Sequence, residues 1–223
     1  TCAPSRYGIL SGNLAFRGNN FNGTWAAHQT SQFLAGQKSL GNLFQEAGYR
    51  TSFYGKLHMG GQYYLPDGSV FTNEASKTDL TGMDWLRGFY SGPTAHGFDY
   101  SFFSHDGIQG EPYMYHENDI PVDGLAYDAV SNRWTWSAAT ELPYVFLQTS
   151  NPGQPGYISK DPDNDGVEGS MHLDEGENLI TGYSYWDSTH TGEMYTQAAR
   201  NFIDDHMVNN PEQPFFMHFC SQC

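Results

Sequence analysis

A chain of 223 residues can bury a substantial core as one domain, and 38% hydrophobic with 16% aromatic content marks a folded composition rather than a disordered one. Lys and Arg total 10 against 25 Asp and Glu, a net charge of −15, which argues against nucleic acid and anionic membranes as partners. No run of about 18 apolar residues exists, so no membrane span is expected.

Taken in chain order, residues 4 to 11 suit a short helix. Pro4 falls in its first turn, where a missing N–H is no loss, and Gly12 falls just past its end. Cys2 then stands at the helix entrance, where unpaired N–H groups and the positive dipole end favour an anion. A second helix is expected over residues 39 to 47. Ser39 can cap it, Leu40, Leu43, Phe44 and Ala47 recur at helical spacing, and Gly48 supplies the stop. Arg50 to Gly55 reads as a strand. Lys56 and His58 come just past its C-terminal end, the edge where open α/β sheets bind ligands. Residues 60 to 190, rich in Gly, Pro, Asn, Asp and aromatics, read as long loops with short strands, Arg133 to Trp136 and Tyr144 to Gln148 among them. Residues 191 to 208 form the clearest helix: Met194, Ala198 and Phe202 make one row, and Tyr195, Ala199 and Ile203 the adjacent one. Asn209 to Pro214 breaks it, and Phe215 to Cys220 reads as a buried strand. A helix followed by a strand near each end suggests parallel βα units and an α/β fold.

Two short blocks carry chemistry. Residues 2 to 12 read Cys2-Ala-Pro-Ser-Arg6-Tyr-Gly-Ile-Leu10-Ser-Gly12, and residues 48 to 58 read Gly48-Tyr49-Arg-Thr51-Ser-Phe-Tyr-Gly55-Lys56-Leu-His58. Arg6 follows Cys2 by about one helical turn, so both can face one site. A guanidinium is a permanently charged fork of donors, an ammonium a compact charge for an oxyanion, and an imidazole a holder or relay of a proton. Singly, each has a plainer reading: a buried thiol, a surface arginine, a loop cation and a core histidine.

Together and in this order, the blocks resemble the two signatures of the type I sulfatases: C-x-P-S-R closed by Leu-Ser-Gly, then G-Y-x-T-x-x-x-G-K-x-H. His96-Gly97-Phe98-Asp99-Tyr100 and Pro214-Phe215-Phe216 have the same family flavour. The resemblance implies an alkaline-phosphatase-like α/β domain with a mostly parallel sheet flanked by helices, incomplete in this chain and with long loops in its middle. It implies hydrolysis of a sulfate monoester, either of a small molecule or of a carbohydrate. Cys2 would be converted to formylglycine by a formylglycine-generating or anaerobic sulfatase-maturating enzyme, and would also contact a calcium ion. In the hydrated aldehyde one hydroxyl attacks sulfur and expels the alcohol, while deprotonation of the other releases sulfate by C–O cleavage. Arg6 would stabilise that residue, Lys56 would grip sulfate, and His58 would position or deprotonate the hydrate. The resemblance further implies a periplasmic or secreted setting, although no signal peptide is visible. It also implies that residues 1 to 223 are an internal piece of the N-terminal catalytic domain, truncated at both ends, lacking most calcium ligands and inactive alone. A phosphonate or phosphodiester hydrolase of the same superfamily is the alternative, as is a non-catalytic relative that binds sulfated glycans.

Other features invite a second reading. Asp161-Pro-Asp163-Asn-Asp165-Gly166 opens like a calcium loop, but His172 stands where such a loop needs a bidentate glutamate, so an acidic turn competes with an ion site. Cys220 and Cys223 lack a second pair for zinc and read as packing residues at a strand end. His105-Asp106 and His116-Glu117 sit in the loop-rich middle, where lining a substrate pocket and ordinary loop polarity both fit.

Overall fold

The computed structural model describes residues 2–20, 25, 29–71, 82–110, 112–142, 144–147, 179–182 and 186–221. Helix α1 is Cys2–Ser11 and α2 is Leu40–Glu46, followed by strands β1 (Arg50–Lys56), β2 (Gln62–Tyr64), β3 (Asp84–Tyr90), β4 (Tyr100–Ser104), β5 (Tyr115–Glu117), β6 (Ile120–Asp128), β7 (Arg133–Ala138), β8 (Tyr144–Leu147) and β9 (Leu179–Gly182). Helix α3 (Thr191–Asn209) and strand β10 (Phe215–Cys220) complete the order.

The main sheet has six strands in the order β10-β1-β4-β5-β6-β7. Strand β1 is parallel to both β10 and β4, and the pairs from β4 to β7 are antiparallel, so the sheet is mixed. The parallel strands lie between helices on both faces, and alternation along each strand shows why. Phe53 and Phe103 pack with Ala3, Tyr7 and Leu10 of α1, whereas their neighbours Tyr54 and Phe102 pack with Met194, Tyr195, Ala198 and Phe202 of α3. Both faces of β1 are therefore covered, and every residue after Arg50 is buried. Each fully buried ring contributes roughly 1.5–3 kcal/mol.

Local chemistry sets the boundaries. Ser39 accepts from Asn42 N while the Asn42 side chain accepts from the Ser39 N–H, a reciprocal cap that starts α2. Thr51 donates through its N–H to Asp99 Oδ2 at 2.9 Å and through its hydroxyl to the Gly97 carbonyl at 2.7 Å, which fastens the start of β1 to the entry of β4. Gly55 has φ of 100°, and a Cβ there would lie 1.8 Å from the Cys220 carbonyl oxygen, so glycine alone lets β10 approach β1 at this point. Arg50 lies 4.5 Å over the Phe202 ring and pairs with Asp205 at 2.7 Å, holding α3 to the sheet. Asn118 and Asp119, with φ of 49° and 69°, make the tight turn of the β5–β6 hairpin. The acidic Asp161 to Gly166 stretch and Cys223 lie outside the described residues.

Candidate active site

The parallel pairing brings the C-terminal ends of β1, β4 and β10 to one edge, with the first turn of α1 above them. Cys2 is exposed at the start of α1, and its sulfur lies 3.6 Å from His58 Nδ1. Arg6, one turn later, donates from Nη1 to the Lys56 carbonyl at 2.8 Å, which ties α1 to the end of β1. Lys56 is the last residue of β1 and only 2% exposed. Its ammonium lies 3.0 Å from Asp106 Oδ1, and the same oxygen lies 3.2 Å from His58 Nδ1. A charge this deep needs a partner, and Asp106 supplies it.

The position of His58 follows from backbone bonds. Its N–H donates to the His105 carbonyl at 3.1 Å, its own carbonyl accepts from the Trp25 ring N–H at 3.2 Å, and its φ is 45°. Its Nε2 lies 3.1 Å from the Trp25 carbonyl oxygen. A carbonyl only accepts, so Nε2 carries a proton, and Nδ1 faces both the Cys2 sulfur and the Asp106 carboxylate.

The field at the mouth of α1 favours an anion. The hydrogen bond with His58, followed by the charges of Lys56, His58 and Arg6, lowers the Cys2 thiol from 9.0 to about 7 against the opposing effect of burial. Behind Arg6, Cys220 lies 2.9 Å from His218 Nε2. Burial raises the Cys220 thiol and lowers His218 to about 4, so both are neutral at pH 7. Ser104 at the end of β4 bonds the Tyr195 hydroxyl of α3.

The four sequence candidates Cys2, Arg6, Lys56 and His58 thus stand together. Asp106 joins them; its sequence context, a polar Ser-His-Asp-Gly run directly after the Phe102-Phe103 pair, was the available signal. His116 is apart from them: it is wholly buried, stacked on Phe103, with Nε2 3.2 Å from the Tyr63 hydroxyl and burial lowering it to about 3. Cys220 packs against the core beside Arg6.

These features define an α/β protein with Cys2, Arg6, Lys56, His58 and Asp106 gathered at the C-terminal edge of a partly parallel sheet. The sulfatase family model matches residues 1–222, and the chain belongs to that family. It is 24% identical over 231 aligned residues to an N-acetylgalactosamine-6-O-sulfatase of Bacteroides thetaiotaomicron, covering 100% of this chain and 38% of that protein. It is 30% identical over 96 residues to arylsulfatase G of Rattus norvegicus, covering 38% of this chain and 18% of that one. A solved chain, described with the metabolism of multiple glycosaminoglycans by Bacteroides thetaiotaomicron, superposes with a TM-score of 0.56 at 19% identity, over 98% of this chain and 40% of its own length. The chain thus spans about two fifths of the length of the Bacteroides relative. Among the described residues, no helix is long and apolar enough to cross a membrane.

Proposed function

We propose that residues 1 to 223 are part of the catalytic domain of a sulfuric ester hydrolase that cleaves a sulfate monoester at formylglycine formed from Cys2. The observation that carries this reading is His58 Nδ1 aimed at residue 2, 3.6 Å from its sulfur, beside the buried Lys56 ammonium. A hydrated aldehyde at residue 2 would supply one hydroxyl to attack sulfur and a second whose deprotonation lets sulfate depart. His58, whose Nε2 bonds the Trp25 carbonyl and whose Nδ1 faces residue 2, positions or deprotonates the hydrate. Lys56 holds a sulfate oxygen, and Arg6 fixes the α1 turn to β1 while adding positive charge where negative charge develops. Carbohydrate sulfates are the first substrate class to test, because the relative aligned along the whole chain is named for a sugar sulfate. Aryl sulfates are the second.

Calcium fits these residues less well. Among the described residues, no group of three or more His, Cys, Asp or Glu side chains could hold a metal ion. Residue 2 alone is proposed as a ligand, and no step above runs through the ion. A periplasmic or secreted setting and a maturating enzyme acting on Cys2 belong to the same reading.

The test uses the full-length protein. Mass spectrometry of the Cys2 peptide should find the aldehyde in place of the thiol. Cys2→Ser should transfer one sulfuryl group and then stall as a covalent ester, because serine lacks the second hydroxyl. Sustained multiple turnover by that variant would overturn the proposal.

A further inference from the structure

An anion pocket gains nothing obvious from a carboxylate, yet Asp106 stands inside this one. Its Oδ1 lies 3.0 Å from the Lys56 ammonium and 3.2 Å from His58 Nδ1, and its side chain is 20% exposed. The backbone is shaped to keep it there. Gly107 follows with φ of 70°, and a Cβ on Gly110 would lie 2.4 Å from Asp106 Oδ2, so glycine leaves room for the carboxylate. Among the described residues, the site gathers Arg6 and Lys56, the imidazole of His58, and the Asp106 carboxylate.

We propose that Asp106 tunes specificity by charge: its carboxylate beside Lys56 weakens the hold on doubly charged anions, including released sulfate and phosphate monoesters, more than the hold on singly charged sulfate esters. The inference rests on Lys56 being the cation that holds sulfate. A sulfate monoester carries one negative charge, whereas inorganic sulfate and, near neutral pH, most of a phosphate monoester carry two. An oxygen bound to the Lys56 ammonium at about 2.8 Å lies within roughly 6 Å of Asp106 Oδ1. At that range Asp106 weakens binding by about tenfold or more for each unit of charge on the ligand, which offsets part of the pull of Lys56 and Arg6 and bears twice on a doubly charged anion. Lys56 and Arg6 still attract the ester, and Asp106 selectively weakens retention of the product. Phosphodiesters, also singly charged, escape this discrimination.

The experiment measures binding of inorganic sulfate and of methanesulfonate, an unreactive singly charged tetrahedral anion, to the full-length matured protein by competitive inhibition. Wild type sets the reference ratio of the two affinities. Asp106→Asn should tighten sulfate about tenfold or more relative to methanesulfonate, and Asp106→Glu should restore the wild-type ratio. Gly110→Ala, which displaces the carboxylate without removing it, should move the ratio in the same direction as Asn and serves if Asp106→Asn fails to fold. An unchanged ratio in Asp106→Asn, or in Gly110→Ala where it must serve instead, with both anions still bound, overturns the inference alone. Failure of wild type to bind either anion overturns the Lys56 reading and this inference with it.

Discussion

At the scale of single residues, the hydrogen bond with His58 and the charges of Lys56, His58 and Arg6 favour negative charge at residue 2, and the unmodified thiol can report on it. With the Cys2 thiol lowered to about 7, its thiolate form predominates above that pH and is lost below it. In unconverted protein, alkylation of Cys2 by iodoacetamide should rise with a midpoint near pH 7. His58→Ala removes the largest cause and should move the midpoint up by a unit or more, as read by peptide mass spectrometry across a pH series. Cys2, Arg6, Lys56 and His58 were legible as candidates because each lies in a dense local signature. Asp106 was legible only within the His105-Asp106 pair, where pocket lining and ordinary loop polarity both fitted, and the Trp25 carbonyl was not. Their contacts with His58 span 48 and 33 positions in sequence, and only parallel pairing of β1 with β4 and packing under α1 create them.

At the scale of elements, the helices and strands β1 and β10 of the parallel group were readable because caps, stops and apolar spacing agree. The expected helix over 39 to 47 is found as Leu40–Glu46, and the strand over 50 to 55 extends by one residue to Lys56. Strands β3, β4 and β6 were hidden, since aromatic residues interleaved with Gly, Asp and Ser give neither clean alternation nor an apolar run. The Asn118-Asp119 turn was the overlooked signal for the β5–β6 hairpin. Ser39 offers the test at this scale. Its buried hydroxyl caps Asn42 N and also bonds the His96 carbonyl. Ser39→Ala removes the cap and leaves that carbonyl without its partner, so it should destabilise the protein by about 1–3 kcal/mol in chemical denaturation. Ser39→Asn should recover part of the loss.

At the scale of the whole molecule, stability should depend on pH through a carboxyl remote from the chemistry. Burial raises Asp119 from 3.8 to about 6, and the Thr94 hydroxyl bonded to it opposes the rise only in part. A group raised by folding binds its proton more tightly in the native state, so its contribution falls as pH rises from about 4 to about 6 and stays unfavourable above that. Asp119→Asn should therefore raise the melting temperature at pH 8, with the gain shrinking at pH 4. An equal gain at both values would contradict the shift. A wider consequence follows from the left-handed backbone at His58, φ of 45°. Side chains other than glycine, asparagine and aspartate adopt that twist at a disadvantage of about 1 kcal/mol or more. A lineage released from turning over substrate would drift to glycine or asparagine at this position and become sturdier for it. On the proposed role of His58, the imidazole at this position trades a little of the fold's sturdiness for chemistry at residue 2.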